Sequence, residues 1–193
     1  MSWKAGISID RHNMDENEVT AATFTLRDLL VRLGMRLVLA ESCTAGRVAA
    51  TLATLPGISA HLCGSFVVYR SDSKVRWLGI SPDVLDDPHI GPVSSRVSSL
   101  LALAALEITP EADLAVAVTG DVGPGAPPQT DGRVFISSRR RQSQDHEEMR
   151  QDVELQLKCP APIDQWDLAA RLARLEEATL AVLNTTIEFL QSE

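Results

Sequence analysis

A chain of 193 residues is long enough for one domain with a sizeable core. Its 45% hydrophobic and 23% charged residues are those of an ordinary soluble globule, and a formal net charge of −8 argues against non-specific nucleic-acid binding, which depends on Lys and Arg neutralising phosphates. The apolar runs fall far short of the roughly 20 residues a membrane span needs, and the opening MSWKAGISIDRHNMDENE lacks the apolar run of a signal peptide, so the expectation is a cytoplasmic protein with no membrane partner.

Residues 1–14 are polar and expected to be flexible, leaving 15–193 as the domain. From Asp15, the apolar residues Val19, Ala22, Leu26, Leu29, Leu30 and Leu33 recur with a helical period, and Gly34 is a helix stop. MRLVLA (35–40) reads as a short buried strand. It runs into the turn ESCTAG and a helix to about Leu55, which Pro56-Gly57 ends. GSFVVY (64–69) is a second strand, SDSKVRWLG (71–79) a short helix closed by Gly79, and SPDVLDD (81–87) one more helical turn. Ser94 caps a helix with the apolar face Val97, Leu100, Leu101, Ala104 and Ile108. DLAVAV (113–118) is apolar on both faces, as a buried parallel strand is, and enters the Gly/Pro-rich loop TGDVGPGAPPQTDG (119–132).

RVFIS (133–137) and MRQDVELQL (149–157) read as an antiparallel hairpin, with RRRQSQDHEE (139–148) as its solvated tip. The last helix is expected over about 163–190, with Leu168, Leu172, Leu175, Leu183, Ile187 and Leu190 on one side. This order of elements predicts an α/β layered domain with a mixed sheet. Ligands of such sheets sit at the carboxyl ends of strands, which singles out the loops 41–46, 69–74 and 119–125.

Those loops hold the reactive residues. Ser42 needs a base to act as a nucleophile. No His lies in the three loops, so the arrangement open to this chain is Ser-Lys. Lys74 is the only Lys between Lys4 and Lys158. Bringing its pKa from about 10.4 to roughly 7–8 takes about 4 kcal/mol, which burial can supply. Tyr69, the only Tyr, stands where it can orient Lys74 or a ligand. The plainer alternative is that Ser42 or Thr44 caps a helix and Lys74 is a surface charge. Cys43 is the rival nucleophile, or else a small buried side chain. Glu41 either orients Lys74 or caps a helix. The N–H groups of Thr119-Gly120 and Gly123-Pro124-Gly125 form either an anion cradle or a tight turn. Cys43, Cys63 and Cys159 show no CxxC spacing and the four His are scattered, so neither a disulfide framework nor a metal site is expected.

Taken together, AESCTAG, VVYRSDSKVRWLG and VTGDVGPG resemble the signature blocks of the CinA C-terminal domain family, over about residues 16–190. Characterised members are nicotinamide-nucleotide amidohydrolases. The resemblance implies a single three-layer α/β/α domain with a mixed, mostly parallel sheet. It implies hydrolysis of the carboxamide of nicotinamide mononucleotide to nicotinic acid mononucleotide and ammonia, in pyridine nucleotide salvage, with no metal or other cofactor, by a homodimer or larger homo-oligomer. The family's nucleophile falls on Ser42, and its Tyr and Lys fall on Tyr69 and Lys74. Glu41, Cys43, Thr44, Ala45, Gly46, Thr119, Gly120 and Gly123 then surround the substrate. In this scheme Ser42 attacks, Lys74 takes its proton, and N–H groups near Cys43, Thr44 and Ala45 hold the oxyanion.

The chain departs from the family pattern at Ala45, Ser95, Asp121 and Val122, and CPAPIDQWDLAARL has no Arg before Arg171, where the family's Arg can meet a phosphate. Arg133, Arg139–Arg141 or a neighbouring subunit are the other possible anchors. The alternative function is a catalytically altered member that binds a nucleotide or a partner protein.

Overall fold

A computed structural model describes residues 15–141 and 149–192. The N-terminal segment 1–14 and the outer hairpin residues 142–148 lie outside the described residues. The elements run α1 (Asp15–Leu33), β1 (Leu37–Glu41), α2 (Arg47–Leu52), β2 (Leu62–Val67), α3 (Ser71–Leu78), α4 (Pro82–Asp86), α5 (Ser95–Ile108), β3 (Leu114–Gly120), β4 (Arg133–Arg140), β5 (Arg150–Gln156) and α6 (Leu168–Gln191).

The five strands form one sheet in the order β2-β1-β3-β4-β5. β1 pairs in parallel with β2 and β3, while β3/β4 and β4/β5 are antiparallel. The sheet is therefore mixed, as expected, with β4 alone running against the other four strands. No helix crosses over between β3 and β4, so β4 has to return antiparallel.

Three layers follow from the strand alternation. Leu37 and Leu39 of β1 and Val116 of β3 join Leu26 and Leu30 of α1 and Leu183 of α6 on one face. Val38 and Ala40 of β1 and Ala115 and Ala117 of β3 pack with Leu101 and Ala105 of α5 on the other. β1 and β3 are buried on both sides, which explains their unbroken apolar sequence.

Three expectations need correction. The buried stripe of α5 is Val97, Ser98, Leu101, Ala102, Ala105 and Leu106, and Ile108 is half-exposed. The helix turns its small residues to the sheet, where Ser98 Oγ donates to the Phe135 carbonyl at 3.1 Å. The helix α6 begins at Leu168, where Asp167 accepts a hydrogen bond from Ala170 N–H, and not at 163. Leu168 and Leu172 are exposed, because the first turn of α6 presents Arg171 to a cavity instead of packing into the core.

Finally, Arg139 and Arg141 are not a solvated tip. Arg139 is buried and donates to Ser99 Oγ at 2.7 Å. Arg141 donates to the carbonyls of Ala112, Leu106 and Thr109. The Arg141 bonds satisfy carbonyls at and beyond the end of α5 that have no helical partner.

Candidate active site

The turn after β1 is organised by one carboxylate. Glu41 is fully buried. It accepts hydrogen bonds from Thr44 Oγ1 (2.8 Å), Gly46 N (2.9 Å), Val48 N (3.1 Å), Ala49 N (3.0 Å) and Ser65 Oγ (3.0 Å). A carboxylate facing free N–H groups at the start of α2 makes charge-assisted bonds. Glu41 thus takes the capping role of its two possible roles. The Thr44 hydroxyl is spent on it and is not turned to a ligand. Ala45 (φ 53°) and Gly46 (φ 91°) carry the chain through a left-handed bend, and Ala45 N–H is already used by the Ser42 carbonyl at 3.0 Å. Ala45 is therefore removed from the possible oxyanion donors.

This bend leaves Ser42 at the cavity. Lys74, on α3, is only 2% exposed. Its Nζ lies 3.1 Å from Ser42 Oγ and 3.1 Å from the Val68 carbonyl oxygen. Burial lowers its pKa, while neighbouring Cys43 opposes the shift weakly. Among the described residues no carboxylate pairs with it. Lys74 is neither a surface charge nor part of an ion pair. Cys43 is buried, and burial pushes its thiol up to about 12 against the opposing pull of the Cys43 and Thr44 N–H groups. Burial disfavours the thiolate, which weighs against the rival nucleophile.

The second and third loops close a cavity of about 340 Å³ around Ser42. Tyr69 stands at its mouth, half-exposed. Its hydroxyl accepts from Arg171 Nη2 at 2.8 Å and makes no bond to Lys74. Arg171 also donates to the Gly123 carbonyl. It lines the cavity and is a candidate the sequence passed over, because nothing local marks an Arg in the first turn of a helix as facing a strand loop 48 residues away. Arg133 is instead paired with Glu154, and Arg139 and Arg141 hold α5.

Thr119 and Gly120 line the cavity, yet each has a structural task. The Thr119 hydroxyl donates to the Pro92 carbonyl at 3.0 Å. A Cβ on Gly120 would lie 2.7 Å from the Arg133 carbonyl oxygen, so only Gly lets β3 and β4 approach here. Gly123 has a left-handed φ of 60° and faces Arg174, which holds Asp131 in a bidentate pair at 2.6 and 2.9 Å. Among the described residues no group of three or more His, Cys, Asp or Glu could hold a metal ion.

Comparison with known proteins bears on this arrangement. The model of the CinA C-terminal domain matches residues 19–156. A CinA-like protein of Geobacter metallireducens is 37% identical over 138 residues, covering 68% of this chain and 33% of that protein. A CinA-like protein of Mycobacterium tuberculosis is 37% identical over 132 residues, 66% of this chain and 30% of its own length. The matched part of the chain thus spans about a third of these relatives. The crystal structure of the competence/damage inducible protein CihA from Agrobacterium tumefaciens is 26% identical, with a TM-score of 0.73 over 98% of this chain and 99% of its own. A competence or damage-inducible protein from Enterobacter asburiae shares the fold at a TM-score of 0.74 and 23% identity, over 89% of this chain and 98% of its own. The chain belongs to the CinA C-terminal domain family.

Proposed function

We propose that the chain is an amidohydrolase that releases ammonia from nicotinamide mononucleotide through a Ser42 acyl-enzyme. The observation that carries this reading is the buried 3.1 Å contact between Ser42 Oγ and Lys74 Nζ. A neutral lysine has two N–H bonds and one lone pair. The Val68 carbonyl accepts one N–H and so aims the amine, and the lone pair is available to the Ser42 hydroxyl proton.

In the first half-reaction Ser42 Oγ bonds to the carboxamide carbon as its proton passes to Lys74 Nζ. The tetrahedral intermediate collapses when Lys74 returns that proton to the amide nitrogen and ammonia leaves. Water then adds to the ester with Lys74 again as base, releasing the carboxylate and restoring Ser42. The Cys43 and Thr44 N–H groups are the remaining oxyanion donors in the turn. Arg171, held by Tyr69 and Gly123, serves the substrate phosphate.

Ammonia release is measured with nicotinamide mononucleotide, comparing wild type with Ser42→Ala. The expected result is release by wild type and none by the variant. Equal release by both overturns Ser42 as nucleophile. Binding without release by wild type overturns the hydrolase and leaves a nucleotide-binding protein.

A further inference from the structure

One charged residue of the cavity has no part in the scheme above. Asp121 lines the cavity, and its carboxylate has no hydrogen-bond or ion-pair partner among the described residues. Its backbone is nonetheless fixed: Asp121 N–H donates to Arg133 O at 3.0 Å, and its carbonyl accepts from Gly132 N–H at 2.7 Å. Two other carboxylates of the described residues near these loops are engaged. Glu41 takes five hydrogen bonds, and Asp131 is bidentate to Arg174. A carboxylate held at a cavity wall with no partner of its own is free to meet a cation.

The loop's course says which part of a ligand that would be. It leaves β3 beside the nucleophile, since Ser42 N–H donates to Val118 O at 3.0 Å. It reaches Arg171 at Gly123. Along the chain Asp121 falls between these points, and it lines the same cavity. A ligand with its amide at Ser42 and an anion at Arg171 would pass its middle along Asp121. An unpaired carboxylate there disfavours a second negative charge and favours a positive one.

We propose, building on the amidohydrolase reading, that Asp121 is a specificity-determining residue that selects a cationic, pyridinium-type ring between the amide and the anion. The preferred substrate class is then a charge-separated amide: carboxamide at Ser42, cationic ring at Asp121, phosphate at Arg171. An uncharged dihydropyridine of the same shape is discriminated against.

The test is equilibrium binding by calorimetry to Ser42→Ala, which cannot turn the ligand over, with and without Asp121→Asn. The ligands are nicotinamide mononucleotide and its reduced dihydro form. The expected result is that Ser42→Ala binds the oxidised form about tenfold more tightly, and that Asp121→Asn removes the preference by weakening that form alone. Equal binding of the two forms to Ser42→Ala, or a preference that survives Asp121→Asn, overturns the role of Asp121 and leaves the amidohydrolase reading standing. Tighter binding of both forms to the Asn variant does the same, because the carboxylate would then only repel the phosphate. Binding of neither form by folded Ser42→Ala overturns the amidohydrolase reading along with it.

Discussion

The loop after β1 and the loop after β3 both line the cavity, but they are held in place differently. Around Glu41, four of the five hydrogen bonds reach residues only three to eight positions along the chain. The loop after β3 depends on distant partners: Arg171 on Gly123 is 48 residues away, and Arg174 on Asp131 is 43. The first loop is a self-contained turn that holds Ser42 in a buried setting. The second takes its shape from α6, and Asp121 on the loop and Arg171 on the helix line the cavity. On the amidohydrolase reading, the nucleophile sits on the locally determined wall, while its base and the recognition groups need the complete fold.

The largest test of that division is Lys74→Met. Turnover should fall by about a thousandfold or more, because the nucleophile loses its base. Stability should hold or rise, because burying an amine carries a desolvation penalty. Turnover and urea denaturation measured together check this, and parallel losses would make Lys74 merely structural. The pH dependence has a definite sign. Burial lowers the folded pKa of Lys74, so the unfolded chain binds its proton more tightly. Stability therefore rises as pH climbs from the folded pKa to the ordinary lysine value. The activity limb for Lys74 deprotonation should lie below the ordinary lysine range, and Lys74→Met should lack both effects.

Glu41→Gln attacks the local wall itself. Replacing a buried carboxylate that holds five donors should cost about 2–4 kcal/mol by urea denaturation. Activity should fall with it, because Ser42 and the oxyanion donors move together. On the opposite wall, Arg171→Met should raise KM for a phosphate-bearing substrate by about 10- to 100-fold with little change in kcat. A phosphate-free amide substrate should show no change, and steady-state kinetics on the two substrates separates the walls.

Smaller effects sharpen the contrast. Asp131→Asn should cost about 1–2 kcal/mol, reduced by the partial exposure of the carboxylate, and should raise KM more than it lowers kcat. Arg174 holds the Asp131 pKa below the usual carboxylate value. The pair's contribution is therefore complete at neutral pH and is lost as pH falls through that lowered pKa. Denaturation of wild type and Asp131→Asn should converge in acid. Smallest of all, Cys43→Ala should keep most of the activity and lose about 1 kcal/mol of stability. Thiol alkylation should be slow, because the thiol is buried and pushed up to about 12.

The comparison also explains what could be read in advance. The absence of His in the loops and one isolated Lys left a Ser42–Lys74 pair beside the plainer reading of a helix cap and a surface charge, and the 3.1 Å contact rules out the surface charge. Of the two partners expected for Tyr69, a ligand or Lys74, the structure removes Lys74: the hydroxyl takes its bond from Arg171, 102 residues away. The buried face of α5 was misjudged because periodicity weighs Leu and Ile above Ala and Ser, while a close helix–sheet approach favours small side chains. The Arg139–Arg141 run looked like a solvated tip because charge patterning cannot register carbonyls waiting at the end of another helix.

The amino-acid sequence by itself determined the strands buried on both faces, the stop at Gly34 after α1, the cap at Ser94 and the turn that carries Ser42. Each of these rests on periodicity or on hydrogen bonds within a few residues. Only the tertiary structure decided that Lys74 meets Ser42 across 32 residues in a desolvated setting, that β4 returns antiparallel, and that Arg171 closes the cavity. Desolvation and long-range pairing depend on which distant segments share a layer, and that is settled by the packing of the whole sheet and its helices.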